Sequence, residues 1–378
     1  MSRIVPTKTL WQSLALPFAL AAAVAFFALK EPAFLGARNL TQLLIEFSIV
    51  GTLALGMFLV ILTGNIDLSV GSGVGLVGGV AAVLIFKHEW GAPAALGVGF
   101  AAALVLWVLM GTLIVKQRIP SFIITLGGLL IFKGLFWLVI ESSTVPVSRG
   151  DEDNLYSLLT TYYLSHQAGL ALALVAGAGL AVLAVRGRAQ RHARQLPVGS
   201  IARTLAAPAG GTAAAVGLVV VCNQFRGVPL SLVVLAGTTA LIYFLTRHTP
   251  FGRYLYAIGG NEEAAKLSGI RVDRVLIGAY ALMGATVAIT GFMVTAYSGA
   301  STTTVGELME LDAIAACVIG GVALKGGRGT VWGVLLGALI MTVLLNGMTL
   351  MAVSPEVKFI ARGAVLAVAV WLDVRFSR

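Results

Sequence analysis

The chain has 378 residues, 58% of them hydrophobic and only 11% charged, with a net charge of +10 and a mean hydropathy of +0.95. A soluble domain of average composition carries about 25% charged residues, so this composition excludes one and points to an all-α integral membrane protein. Nucleic acid is excluded as a partner, because the cations sit in short loops between apolar runs, with no basic stripe or interleaved aromatics.

In chain order, Arg3 and Lys8 precede an apolar run at residues 13–29. That run is longer than the core of a secretory signal and contains Pro17, so an uncleaved first span is expected. A helix needs about 20 apolar residues to cross a bilayer. Further spans are expected at residues 40–63, 68–86, 92–115, 122–140, 167–185, 204–222 and 229–245, then at 275–296, 311–324, 331–353 and 359–374. The expected fold is a polytopic bundle of about 12 transmembrane helices, or about 10 with re-entrant segments, forming one transmembrane domain over residues 1–378. The segments at 68–86 and 311–324 are the weakest, being short or broken by glycine.

Loop charges orient the bundle. With a cytoplasmic N-terminus, most Lys and Arg fall in inside loops, including the arginine-rich residues 186–203, while the acidic run Asp151, Glu152, Asp153 falls outside in the loop 142–166. The positive-inside rule therefore puts both termini in the cytoplasm. Cys222 and Cys317 lie in apolar segments and the four histidines are scattered, so no disulfide or metal site is legible.

Catalytic machinery is absent from the pattern. Gly320 to Lys325 lacks the hydroxyl that would follow a phosphate-binding lysine, and no strand precedes it. The glycines at 71, 75, 78 and 79 suit close helix packing better than a dinucleotide loop. No catalytic residues are assigned, and the chain is expected not to be an enzyme.

Two segments carry polarity at membrane depth. Asn65, Asp67 and Ser69 interrupt the first, where Asn65 or Asp67 can cap a half-helix; Glu310 and Asp312 open the second, a short small-residue helix. Broken helices survive in a bilayer only when buried in protein or lining a wet cavity, and interrupted spans in corresponding halves point to a transport pathway. These five residues are the expected pathway residues, near broken helices at the centre. Glu46, Lys133 and Arg362 are further ionisable groups within spans, and a structural Glu46–Lys133 pair is expected. The scarcity of acidic and histidine residues within the spans suits a neutral, hydroxyl-rich cargo.

The loop 246–274 is polar and cationic, and Asn261 to Ser268 reads as a surface helix within it. Asn261 is the N-cap, Glu262 and Glu263 favour the positive helix end, Ala264, Ala265, Lys266 and Leu267 propagate it, and Gly269 stops it. A polar helix held between two spans is a place for another protein to push.

Five stretches then carry a resemblance: VILTGNIDLSVGS (60–72), PSFIITLGGLLIFKG (120–134), FGRYLYAIGGNEEAAKLSGI (251–270), ELDAIAACVIGGVALKGGRGTVWG (310–333) and NGMTLMAVSP (346–355). The chain resembles, over nearly its whole length, the permease subunits of bacterial ATP-binding-cassette importers for monosaccharides, and its TTYY run at 160–163 is most similar to the xylose branch. The resemblance implies an inner-membrane permease for D-xylose or a related pentose, working by alternating access. It implies a homodimer that docks two cytoplasmic ATPases and receives cargo from a periplasmic sugar-binding protein. ATP and magnesium would be bound by the ATPases, with no cofactor in this chain. Glu263 to Gly269 matches the EAAxxxG element that docks on the ATPase, although the I-x-L-P tail of its longer form is absent. The alternatives are an ion-gradient-driven secondary transporter and, from another class, a membrane enzyme or channel.

Overall fold

A computed structural model describes residues 7–150 and 153–376; Arg3, Asp151, Glu152 and Arg378 lie outside the described residues. Helix dominates because a backbone in hydrocarbon must satisfy its own hydrogen bonds. The helices are α1 (Thr7–Lys30), α2 (Ala37–Leu62), α3 (Val70–Phe86), α4 (Ala92–Gln117), α5 (Ser121–Val139), α6 (Leu155–Thr161), α7 (His166–Ala193) and α8 (Ile201–Asn223). They continue with α9 (Leu230–His248), α10 (Pro250–Gly260), α11 (Glu262–Leu267), α12 (Val272–Ser298), α13 (Met309–Ile319), α14 (Val331–Leu350) and α15 (Pro355–Phe376). The two-residue strands β1 (Val145–Pro146) and β2 (Ala300–Ser301) pair antiparallel.

Each of the twelve expected crossings falls on one helix, but among the described residues only eight are long and apolar enough to cross by themselves. Val70–Phe86 and Leu16–Lys30 are shorter apolar helices, and α13 has only 11 residues. α15 has the length, yet Glu356, Lys358, Arg362, Asp373 and Arg375 dilute its hydropathy. The shortfall at α3 and α13 has one physical cause: the chain ahead of each is unwound by glycine and polar residues.

α2 and α12 form the centre. In its most apolar window α2 is 83% buried, against 17% for α7 and 11% for α8, so the α7–α8 hairpin is peripheral. The packing has an internal symmetry. α2 lies against α12, α13 and α14, as α12 lies against α2, α3 and α4; α3 packs on α4 and α5, as α13 packs on α14 and α15. The direction is inverted between halves. The last turn of α2 meets the loop after α13, where the Gly327 amide donates to the Leu62 carbonyl at 2.9 Å, whereas α12 runs to the opposite end, into β2. Inverted repeats of this kind build transporter folds around broken helices.

With lipid on one side and protein on the other, burial gives helices little reason to associate, so close packing of small residues does the work. A Cβ at Gly78 of α3 would meet the Gly291 carbonyl of α12 at 2.7 Å, and one at Gly284 of α12 would meet Trp107 of α4 at 2.8 Å.

Candidate functional site: a broken-helix centre and a surface arm

The first unwound segment, residues 63–69, is held by specific partners. α2 ends as Gly64 turns into the left-handed region at φ +77°, and the Asn65 amide folds back to the Val60 carbonyl at 3.3 Å. Ile66 would leave its backbone stranded in the bundle, but the Ser121 hydroxyl accepts from its amide at 3.3 Å and the Thr125 hydroxyl donates to its carbonyl at 3.3 Å. Asp67 is fully buried. Its Oδ1 accepts from the Ser69 amide at 2.9 Å and the Ser69 hydroxyl at 2.6 Å, and its Oδ2 accepts from the Trp107 indole at 2.7 Å. Asp67 thus fixes the turn at Ser69 just ahead of α3, and both its oxygens have protein donors.

The second broken element starts against the first. A Cβ at Gly71 would run into Glu310 Oε2 and the Gly306 carbonyl, so the first turns of α3 and α13 touch through a glycine. Glu310 and Asp312 are buried there. Asp312 pairs with Arg362 of α15, Oδ1 to Nε, at 3.2 Å. Glu310 borders a cavity of about 270 Å³ together with Ser72, Lys133, Thr303 and Glu307.

Of the five expected pathway residues, the structure brings Asp67, Ser69, Glu310 and Asp312 to the meeting point of the half-helices. Asn65 lies apart, bordering a cavity of about 580 Å³ shared with Lys116, Arg118, Glu262, Lys266 and Asp273. The expected Glu46–Lys133 pair does not form. α2 packs on α12, α13 and α14, whereas α5 packs on α3 and α4, so the two side chains face different neighbours. Glu46 accepts from the Tyr297 hydroxyl at 3.0 Å and from Asn346 Nδ2 at 3.1 Å, and Asn346 in turn accepts from Asn39 at 3.0 Å. Lys133 instead sits over the Trp137 ring, 5.4 Å from its centroid.

The arm formed by α10 and α11 follows the local rules read from its residues. Asn261 Oδ1 accepts from the Ala264 amide at 2.9 Å, Glu262 and Lys266 form an i,i+4 ion pair, and Gly269 closes the helix at φ +81°. The Ile270 amide returns to the Ala265 carbonyl at 3.1 Å. Ala265 is buried against the body of the protein, whereas Leu267 is 90% exposed. Glu262, Glu263, Lys266 and Ser268 lie on the exposed side with it, and Ala264 is exposed too.

Sequence reasoning missed how this arm is seated. α10 ends in Gly259-Gly260, and three stretches of main chain meet there. A Cβ at Gly259 would strike the Leu62 carbonyl and the Gly327 amide, one at Gly326 would lie 2.7 Å from the Gly64 amide, and one at Gly327 2.8 Å from the Gly260 amide. Nearby, the Tyr256 hydroxyl of α10 donates to the Gly329 carbonyl at 2.9 Å, and burial holds that phenol above its ordinary pKa, opposed by Arg247. The end of α2, the arm and the loop after α13 are thus joined backbone to backbone. The glycine pairs at 259–260 and 326–327 were the only signal in the sequence.

Among the described residues no three His, Cys, Asp or Glu side chains are grouped to hold a metal.

The family described as "Branched-chain amino acid transport system / permease component" matches residues 39–370. The xylose transport system permease protein XylH of Haemophilus influenzae is 40% identical over 94% of this chain and 94% of its own. XylH of Escherichia coli K12 is 39% identical over 92% of this chain and 88% of its own, and the ribose import permease protein RbsC of the same organism 31% identical over 94% and 91%. No solved structure matches.

Proposed function

The chain belongs to the branched-chain amino acid transport system / permease component family, and from that premise we propose that it is the D-xylose, or related pentose, permease of its importer. It is the membrane subunit of an ATP-binding-cassette sugar importer and not an enzyme. In this reading it sits in the bacterial inner membrane as a homodimer, with both termini cytoplasmic, and crosses through twelve helical segments of which α3 and α13 are half-helices. ATP and magnesium are bound by two ATPase subunits docked on residues 261–269 of the loop 246–274. A periplasmic sugar-binding protein delivers cargo to the outside loops, including 142–166.

The observation that supports this most directly is the build of α11. It is capped at both ends, anchored through Ala265 and presents Leu267, 90% exposed, away from the bundle. An exposed leucine on a short helix beyond the spans is a contact waiting for a partner, and the main-chain junction at Gly259 gives a push on that helix a route to both broken elements. Movement there would open the central path alternately to each side, past Asp67, Ser69, Glu310 and Asp312, with Asn65 at the cavity beside the arm.

The test is ATPase activity of the chain reconstituted with its ATPase and binding protein. Activity that rises with xylose, and collapses in Glu263→Arg while the protein remains inserted, supports the reading. Uptake that runs on an ion gradient without the ATPase would refute it.

A further inference from the structure

We propose that the cavity bounded by Ser72 of α3, Lys133 and Phe136 of α5, and the turn carrying Thr303, Glu307 and Glu310 is a binding station for one unphosphorylated monosaccharide. The inference rests on the importer reading and names the place where the sugar halts inside this chain.

Glu310 is the central observation. Its side chain is buried, 8% exposed, at the start of α13 and borders the cavity, and beyond its own amide no described residue donates a hydrogen bond to its carboxylate. A buried carboxylate without donors is costly, and the nearby cations Lys133 and Arg362 offset that cost only in part, with no hydrogen bond. The Lys133 ammonium is engaged with the Trp137 ring, and no Lys133–Glu310 ion pair forms within salt-bridge distance among the described residues. By contrast, Asp312, two residues on, has Arg362. What Glu310 lacks is a pair of hydroxyl donors, and adjacent hydroxyls of a sugar ring supply two that are spaced for one carboxylate.

The rest of the lining suits the same ligand. Ser72 and Thr303 each donate and accept, Lys133 donates to hydroxyl or ring oxygens, and the half-buried Leu129 offers an apolar surface to the C–H face of a ring. At about 270 Å³ the cavity lies just under the lower end of common ligand pockets, about 300 Å³, room for one ring and not for two. Charge sets the exclusion. With Glu307 and Glu310 set against Lys133, the lining has no surplus of positive charge to hold a phosphate or carboxylate, so it favours neutral sugars over sugar phosphates and sugar acids.

The test labels Ser72→Cys in the full-length chain with a small methanethiosulfonate reagent. Cys222 and Cys317 are both buried and give little background. With xylose at about 50 mM and a Kd of about 10 mM, labelling slows about sixfold by occupancy, whereas xylose phosphate or glycine betaine at the same concentration leaves the rate unchanged. Adding Glu310→Gln abolishes the protection, read as the ratio of the rates with and without xylose in the same variant. If Ser72→Cys does not run as a monodisperse species, Thr303→Cys takes its place. Labelling that xylose fails to slow, or protection that survives Glu310→Gln, overturns the proposal. Because no ATPase is present, failure of the importer reading shows separately, as ATPase activity that sugar does not stimulate.

Discussion

Trp107 and Asp67 lie 40 positions apart and meet inside the bundle, where the indole donates to the buried carboxylate at 2.7 Å. The bond holds α4 against the unwound segment that precedes α3, and it satisfies the one Asp67 oxygen that Ser69 does not reach. Trp107→Phe keeps most of the ring and removes the donor. Loss of a buried hydrogen bond to a charged group costs about 1.5–3 kcal/mol, so the detergent-solubilised protein should melt several degrees lower. Asp67→Asn in the Trp107→Phe background should recover part of the loss, since a neutral amide tolerates the missing donor better than a carboxylate. An unchanged melting temperature in Trp107→Phe would show that the bond does not hold the segment.

The glycines of the arm give a paired prediction. A Cβ at Gly259 collides with main-chain atoms of Leu62 and Gly327, whereas one at Gly260 meets nothing within 4 Å. Gly259→Ala should therefore displace the arm and cut sugar-stimulated ATPase activity by about tenfold, equivalent to about 1.4 kcal/mol, with insertion intact. Gly260→Ala should behave like the unmodified protein. Equal behaviour of the two variants would remove the junction from any account of coupling.

Leu267 is nearly free of the rest of the chain, so Leu267→Ala should leave stability unchanged. An exposed anchor of this type contributes about 1–2 kcal/mol or more to an interface, and affinity for the ATPase subunit should fall by about tenfold in a pull-down titration. A fall in melting temperature without a loss of affinity would instead make Leu267 part of the fold.

Asp312 and Arg362 form an ion pair buried on the Asp312 side. Asp312→Ala strands the guanidinium and should cost about 3–5 kcal/mol, while Asp312→Leu with Arg362→Met should regain most of it. Thermal melts of the single and double variants decide this. Additive losses would mean the pair is not coupled.

What could be read from the residues follows the range of the forces. Asn261 and Gly269 cap α11 through bonds that span three or four positions, so the helix, its start and its stop were all legible. The breaks before α3 and α13 were legible because glycine and aspartate are poor helix formers at any depth. Contacts between halves were not. The Asn39–Asn346–Glu46–Tyr297 network spans about 300 positions, and no periodicity announces which polar group finds which. Lys133 shows the limit best. Charge alone suggested Glu46 as its partner, but α2 and α5 pack on different helices, which leaves Lys133 with an aromatic ring and a cavity.

The junction at Gly259 has a mechanical consequence. Contacts between side chains have slack, since rotamers turn and long chains bend before their backbones move. At Leu62, Gly259 and Gly327 there are only carbonyls, amides and Cα atoms in touch, and none has a rotamer to yield. In the proposed cycle a displacement of the arm would reach both halves at once, because the contact at Gly259 joins the end of α2 and the loop after α13 main chain to main chain.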